Sequence, residues 1–226
     1  MGSKRLPGKV LADVGGRPML ALMLDRLRCA ETLDDVVVAT SSEPEDDPIP
    51  AVALAGGARV YRGPLNDVLG RFAGAIGASA DVAVRLTADC PLIDPAIVDG
   101  VVKLLLATPA AAYASNLEPR TFPDGLDVEA LRAGVLLELH ESVEDEDLRE
   151  HVTLGVFQDP DRWPRAAVTH DPDLGELRWT VDTQDDLDFL RSIVERLGER
   201  AERAPLDEIL TAIRAAPPLT ERGRRG

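Results

Sequence analysis

Val82-Ala83-Val84-Arg85-Leu86-Thr87-Ala88-Asp89, with the run from Pro95 to Ala107 behind it, decides the fold class. The opening residues are apolar and β-branched, as in a short strand covered on both faces. Pro95 suits a first helical turn, and the apolar run after it has helical length. The same succession recurs along the chain. Val36-Val37-Val38-Ala39-Thr40 precedes a helical stretch at 47–55, Arg59-Val60-Tyr61-Arg62 precedes one at 66–79, and Ala111 to Ala114 forms a further strand. Pro18 to Ala30 places Met19, Leu20, Leu22, Met23, Leu24 and Leu27 at helical spacing. Leu177-Arg178-Trp179-Thr180-Val181 reads as a last strand running into a helix that starts near Thr183. This alternation predicts an α/β fold of right-handed βαβ units, with a mainly parallel sheet and helices on both faces.

The pattern loosens between Ser115 and Asp173, where Pro119, Pro123, Pro160, Pro164 and Pro172 interrupt it, so residues 115–173 read as an insertion or lid. The main domain spans 1–200. Residues 201–226 hold a helix at 205–215 and an Arg-rich end, Thr220 to Gly226, that is expected to fray.

Composition narrows the function classes. The 226 residues suffice for one well-buried domain, and 45% apolar with 29% charged residues is ordinary for a soluble globular protein. A net charge of −15 argues against nucleic acid, whose phosphates this surface would repel. Cys29 and Cys90 match neither a disulfide framework nor a zinc-ligand spacing, which fits a reducing cytoplasm. No apolar run approaches the length that spans a bilayer, so no membrane association is expected.

The cations cluster. Lys4, Arg5, Lys9 and Arg17 precede an acidic stretch at 31–50 that has no Lys or Arg. Gly2-Ser3-Lys4-Arg5-Leu6-Pro7-Gly8-Lys9 puts small residues, which permit close backbone approach, beside three cations; it reads either as a phosphate cradle or as a solvated basic terminus. Asp182-Thr183-Gln184-Asp185-Asp186 makes a good helix start, with Thr183 as the cap and Asp186 three residues on. Cys90 has no base placed beside it and reads as a small core residue.

Taken together, the segment from Gly2 to Lys9 resembles the signature loop of the sugar-acid cytidylyltransferases, and most closely the spore coat polysaccharide biosynthesis protein F-type. Further matches follow in order: Gly15-Gly16-Arg17-Pro18-Met19, Val37-Val38-Ala39-Thr40-Ser41, Asp46-Asp47-Pro48-Ile49, and Arg62-Gly63 with Asn66-Asp67-Val68-Leu69. Then come Arg85 to Asp94, Phe122 to Glu129, Arg149 to Thr153, and Leu177 to Thr183.

The resemblance implies a glycosyltransferase-A-like, Rossmannoid nucleotidyltransferase that moves the cytidylyl group of CTP to a sugar or sugar acid for surface glycan synthesis. It implies catalytic roles for Lys9 and Arg5, and nucleotide binding by Gly2, Ser3, Arg5, Leu6, Pro7, Gly8, Lys9 and Thr87. It implies a Mg2+ ion on Asp89 and Asp182, brought together at the carboxyl edge of the sheet, a choice that suits a hard cation with few protein ligands. Asp124, Asp127, Arg149 and His151 would shape the sugar side, with a helix-surface arginine and a satisfied histidine as the alternative for the last two. A homodimer is compatible with this reading. A glycosyltransferase of the same fold and a non-catalytic binding protein are the competing functions. Lys9, as an exposed loop residue, is expected to matter more to turnover than to folding.

Family members carry a short first strand before this loop, ending in Gln-Ala-Arg ahead of Met-Gly-Ser, whereas this sequence begins at Met1. That strand lies between the ones equivalent to Val36 to Thr40 and Val82 to Thr87. As written, the chain is expected to leave a gap there, to pair the two directly, or to recruit another segment, with a loss of solubility. The two explanations are a start codon assigned too late and a truncated, inactive copy.

Overall fold

The computed structural model describes residues 1–3, 5–77 and 80–215; Lys4 and the tail at 220–226 lie outside the described residues. Met19–Leu27 forms helix α1, whose Met19, Leu22, Met23 and Leu27 enter the main core while Leu20 and Leu24 face a smaller cluster with Ile49 and Ala53. Strand β1, Val37–Ser41, pairs in parallel with β2, Arg59–Gly63, across helix α2, Ile49–Ala55. Helix α3, Val68–Ala75, is started by Asp67, whose carboxylate accepts the Gly70 N–H at 2.9 Å. Strand β3, Val82–Arg85, leads to helix α4, Pro95–Ala107, started in the same way by Asp94.

Beyond this point the mainly parallel arrangement includes one antiparallel strand. Strand β4, Tyr113–Ser115, does not adjoin β3. Between them lies β5, Glu129–Arg132, antiparallel to both, and β6, Arg165–Ala167, pairs in parallel with β4 on the far side. The stretch 115–173 therefore supplies two strands to the sheet, along with helices α5 (Ala133–Ser142), α6 (Glu146–His151) and α7 (Leu154–Gln158). Among the described residues β1 pairs only with β2 and β3 only with β5, so the two sheets do not join.

Leu177 to Val181 forms no regular strand. It is extended, but its backbone bonds go to two loops instead of a ladder. Asp124 N–H donates to Leu177 O at 3.0 Å, Trp179 N–H to Asp124 O at 2.6 Å, and Val181 N–H to Asp89 O at 2.9 Å. Gly125 makes this approach feasible. Its φ of +107° is unfavourable for other residues, and an added Cβ would sit 2.7 Å from Thr180 N. Helix α8, Gln184–Leu197, follows directly.

Residues 201–213 contribute to the same core. Ala201, Ala204, Ile209 and Ile213 join the main cluster, the last two from helix α9, Leu206–Arg214. Arg26 holds them there. It is fully buried and donates to Ile93 O at 2.7 Å, Ala201 O at 2.7 Å and Ala204 O at 2.8 Å. Burial lowers its guanidinium to about 10, with the charge of Asp94 opposing, so it stays a cation at neutral pH. Asp94 completes the tie by accepting Leu206 N–H at 2.7 Å.

Candidate active site

The cradle segment turns back on itself before Lys9. Ser3 Oγ accepts the Leu6 N–H at 3.2 Å, Lys9 N–H donates to Leu6 O at 3.2 Å, and Gly8 takes a φ of +73°. This delivers the Lys9 side chain to the carboxyl end of β3. Its Nζ lies 3.2 Å from Asp89 Oδ2, 3.0 Å from Asp182 Oδ1 and 2.7 Å from Val181 O. The expectation of an exposed loop lysine is corrected here: only 13% of the side chain is accessible, because the 177–181 segment lies against the Asp89 loop and closes over it.

Asp182 is surrounded by cations. Arg5 reaches its Oδ1 at 3.0 Å and Arg178 its Oδ2 at 2.8 Å. Burial alone would raise this carboxyl, but the hydrogen bond and charge of Lys9, then Arg5 and Arg178, outweigh it and hold it below the usual aspartate range. The helix-start reading of this segment also holds. Thr183 and Asp186 cap α8 reciprocally, and Asp186 accepts the N–H groups of Asp182 and Thr183 at 2.9 and 2.8 Å. Since neighbours do the capping, the Asp182 carboxylate is left for the cluster. Asp94 likewise caps α4 and leaves Asp89 for it.

Thr87 and Cys90 close the turn after β3: Cys90 N–H donates to Thr87 O at 3.0 Å, and Thr87 Oγ1 lies 3.3 Å from Cys90 Sγ. Burial, followed by the charge of Asp89, pushes the Cys90 thiol well up, which suits a core residue; Asp127 and Asp124 add to the shift from nearby. Those two aspartates share Arg120, which chelates Asp127 at 2.6 and 3.0 Å and approaches Asp124 at 3.9 Å. The 124–127 loop thus stands on the same side as Asp89.

Arg149 is not brought to this cluster. Its guanidinium bonds Asp67 at 2.9 Å, Val143 O at 2.6 Å, His140 O at 3.2 Å and His140 Nδ1 at 3.0 Å, tying α6 to the start of α3 and the end of α5. His151, at the end of α6, is exposed. The sequence reading did not single out Arg178, Arg120 or Glu129. For Arg178 a signal existed, since it stands four positions before Asp182 in an extended stretch. The link from Arg120 to Asp127 crosses an irregular loop and left no periodic trace.

The architecture matches solved structures. A cytidylyltransferase from Leptospira borgpetersenii serovar Hardjo-bovis superposes with a TM-score of 0.91 at 31% identity, over 97% of this chain and 92% of that one. CMP:2-keto-3-deoxy-manno-octonic acid synthetase complexed with CTP shares the fold, with a TM-score of 0.64 at 19% identity, over 86% of this chain and 94% of that one. The fold is that of the nucleotide-diphospho-sugar transferases, and the class is a nucleotidyltransferase enzyme.

Within that class the chain belongs to the cytidylyltransferase family, whose sequence pattern matches residues 1–170. It is similar to spore coat polysaccharide biosynthesis protein SpsF of Bacillus subtilis, 31% identical over 227 aligned positions that cover 96% of this chain and 92% of that protein. It also resembles 3-deoxy-manno-octulosonate cytidylyltransferase of Anaeromyxobacter sp., 39% identical over 123 positions, 52% of this chain and 49% of that protein. No described helix is long and apolar enough to cross a membrane.

Proposed function

We propose that this enzyme joins CTP and a sugar acid to give a CMP-sugar and pyrophosphate, for surface polysaccharide synthesis in the cytoplasm. The observation that carries the reading is the convergence of Lys9, Asp89 and Asp182 where the 2–9 loop meets the end of β3. A hydroxyl oxygen of the sugar bonds the α-phosphorus as its proton is released to solvent, the bond from the α-phosphorus to the oxygen that bridges it to the β-phosphate breaks, and pyrophosphate leaves with that electron pair. Arg5 and Lys9 compensate the charge that builds on the phosphates. Gly2, Ser3, Leu6, Pro7 and Gly8 let backbone approach the triphosphate, and Thr87 bounds the nucleotide side.

Asp89 and Asp182 offer hard oxygens that already surround one cationic group, the Lys9 ammonium. That donor set fits Mg2+, which accepts few protein oxygens and neutralises a triphosphate when bound. Asp124 and Asp127, braced by Arg120, are assigned to the acceptor, and the exposed His151 is assigned to it as well. The test is product analysis: CTP, ATP, GTP and UTP are each incubated with Mg2+ and a panel of sugar acids, and pyrophosphate and nucleotide-sugar are measured. Turnover with CTP and a sugar acid is expected; pyrophosphate from none of the pairs contradicts the reading.

A further inference from the structure

We propose that Glu129 and Thr153 are positioning residues that fix His151 through a strained turn, and so set the enzyme's hold on the sugar acid. The inference rests on the acceptor role given to His151 above.

Val152 has φ +54° and ψ −64°, the described non-glycine residue with positive φ, and it is 1% exposed. Thr153 N–H donates to His151 O at 2.6 Å, so the three residues form the γ-turn of positive φ. That turn is rare and strained, the more so for a β-branched residue, and it persists only where the surroundings over-determine it. Two anchors do so here. The Val152 side chain is held in the apolar cluster with Leu136, Leu139 and Val156. Thr153 Oγ1 donates to Glu129 Oε1 at 2.6 Å.

Glu129 is itself only 4% exposed, and Tyr113 Oη donates to the same oxygen at 2.9 Å while Arg85 pairs with the other. Burial and then the Glu129 charge raise the Tyr113 hydroxyl, which keeps it a donor. This buried carboxylate lies opposite Arg85 in the β3–β5 ladder, two residues after Asp127 and at the end of β3 that continues to Thr87 and Asp89. The turn is therefore pinned, through Glu129 on β5, to the neighbour of the strand that leads to Asp89, and the residue it leaves outside is the exposed His151.

The chain contains three histidines, so their ring resonances are separable, and His151 is assigned by the signal lost in His151→Gln. Thr153→Val removes the donor while Glu129 keeps Tyr113 and Arg85; Thr153→Ser keeps the donor and guards against a folding artefact. In Thr153→Val the His151 signal is expected to move and broaden, His140 and His170 to stay, and Thr153→Ser to match the parent. With CTP, Mg2+ and the sugar acid that gives turnover, Thr153→Val and His151→Gln should each raise the acceptor KM about tenfold with the KM for CTP unchanged. An unmoved His151 signal in Thr153→Val overturns the proposal. If the signal moves but His151→Gln keeps the parent's acceptor KM, its functional half is overturned and the transfer reaction stands. Absence of turnover with every sugar acid removes the transfer reading and its consequence here, and the resonances still decide whether Glu129 and Thr153 fix His151.

Discussion

The Lys9 ammonium lies 3.0 Å from Asp182 Oδ1, although 173 positions separate the two residues, and the same nitrogen is 3.2 Å from Asp89. A part-buried cation between two carboxylates bears on folding and, in the proposed reaction, on chemistry. Lys9→Ala should lower kcat/KM by about 10²- to 10³-fold, as for loss of one group that stabilises developing charge. It should also lower the melting temperature by a few degrees in EDTA, on the order of 1–2 kcal/mol, and Mg2+ should restore part of that as a replacement cation. Unchanged melting with and without Mg2+ would show that the ammonium carries no charge balance for the aspartates.

Gly125→Ala puts a Cβ 2.7 Å from both Thr180 N and the Trp179 carbonyl carbon, at a φ that alanine resists. The 124–127 loop must then move from the 177–181 segment, carrying Asp124 and Asp127 with it. A loss of about 2 kcal/mol or more in urea melts is expected, with weaker acceptor use in any surviving fold. A variant as stable as the parent would mean that the loop can withdraw freely.

Arg26→Met leaves Ile93 O, Ala201 O and Ala204 O without their charged donor. The cost should be about 3 kcal/mol, read as a lower denaturation midpoint, with hydrogen exchange rising first across 198–206. Uniform exchange along the chain would contradict the local tie.

Asp99 accepts the Glu31 and Thr32 N–H groups at 3.1 and 2.9 Å and the Thr32 hydroxyl at 2.7 Å. Burial would raise its carboxyl, but these bonds lower it overall. Its folded value lies below its unfolded one, so its contribution is present above the ordinary aspartate range and is lost as pH falls through the folded value. Urea midpoints should therefore fall on acidification below about pH 4, and Asp99→Asn should flatten that slope while lowering stability at pH 7. A slope equal to the parent's would remove Asp99 from the acid response.

Much of this was legible beforehand because local signals agreed with the global fold. The apolar spacing from Met19 to Leu27 gives α1, and the β-branched run at Val37 and Val38 gives β1. Thr183 and Asp186 gave the cap of α8. Strand β5 was hidden because Glu129-Ala130-Leu131-Arg132 consists of helix formers and runs straight into α5; it is extended only because the ladders to β3 and β4 and the buried bonds of Glu129 hold it so. Arg149 shows a second limit: an arginine's partner depends on which helix packs beside it, and α3 supplied Asp67. The partial burial of Lys9 follows from the approach of residues 177–181, a contact that no spacing near Lys9 encodes.

The central claim is that Asp89 and Asp182 form one cation-dependent site for CTP beside Lys9. Calorimetric titration of the parent, Asp89→Asn, Asp182→Asn and the control Asp99→Asn with CTP, each in Mg2+ and in EDTA, tests it most directly. The account predicts that Mg2+ tightens CTP binding to the parent and that either substitution abolishes most of that gain, while Asp99→Asn keeps it. Equal Mg2+ dependence in all four proteins would contradict it.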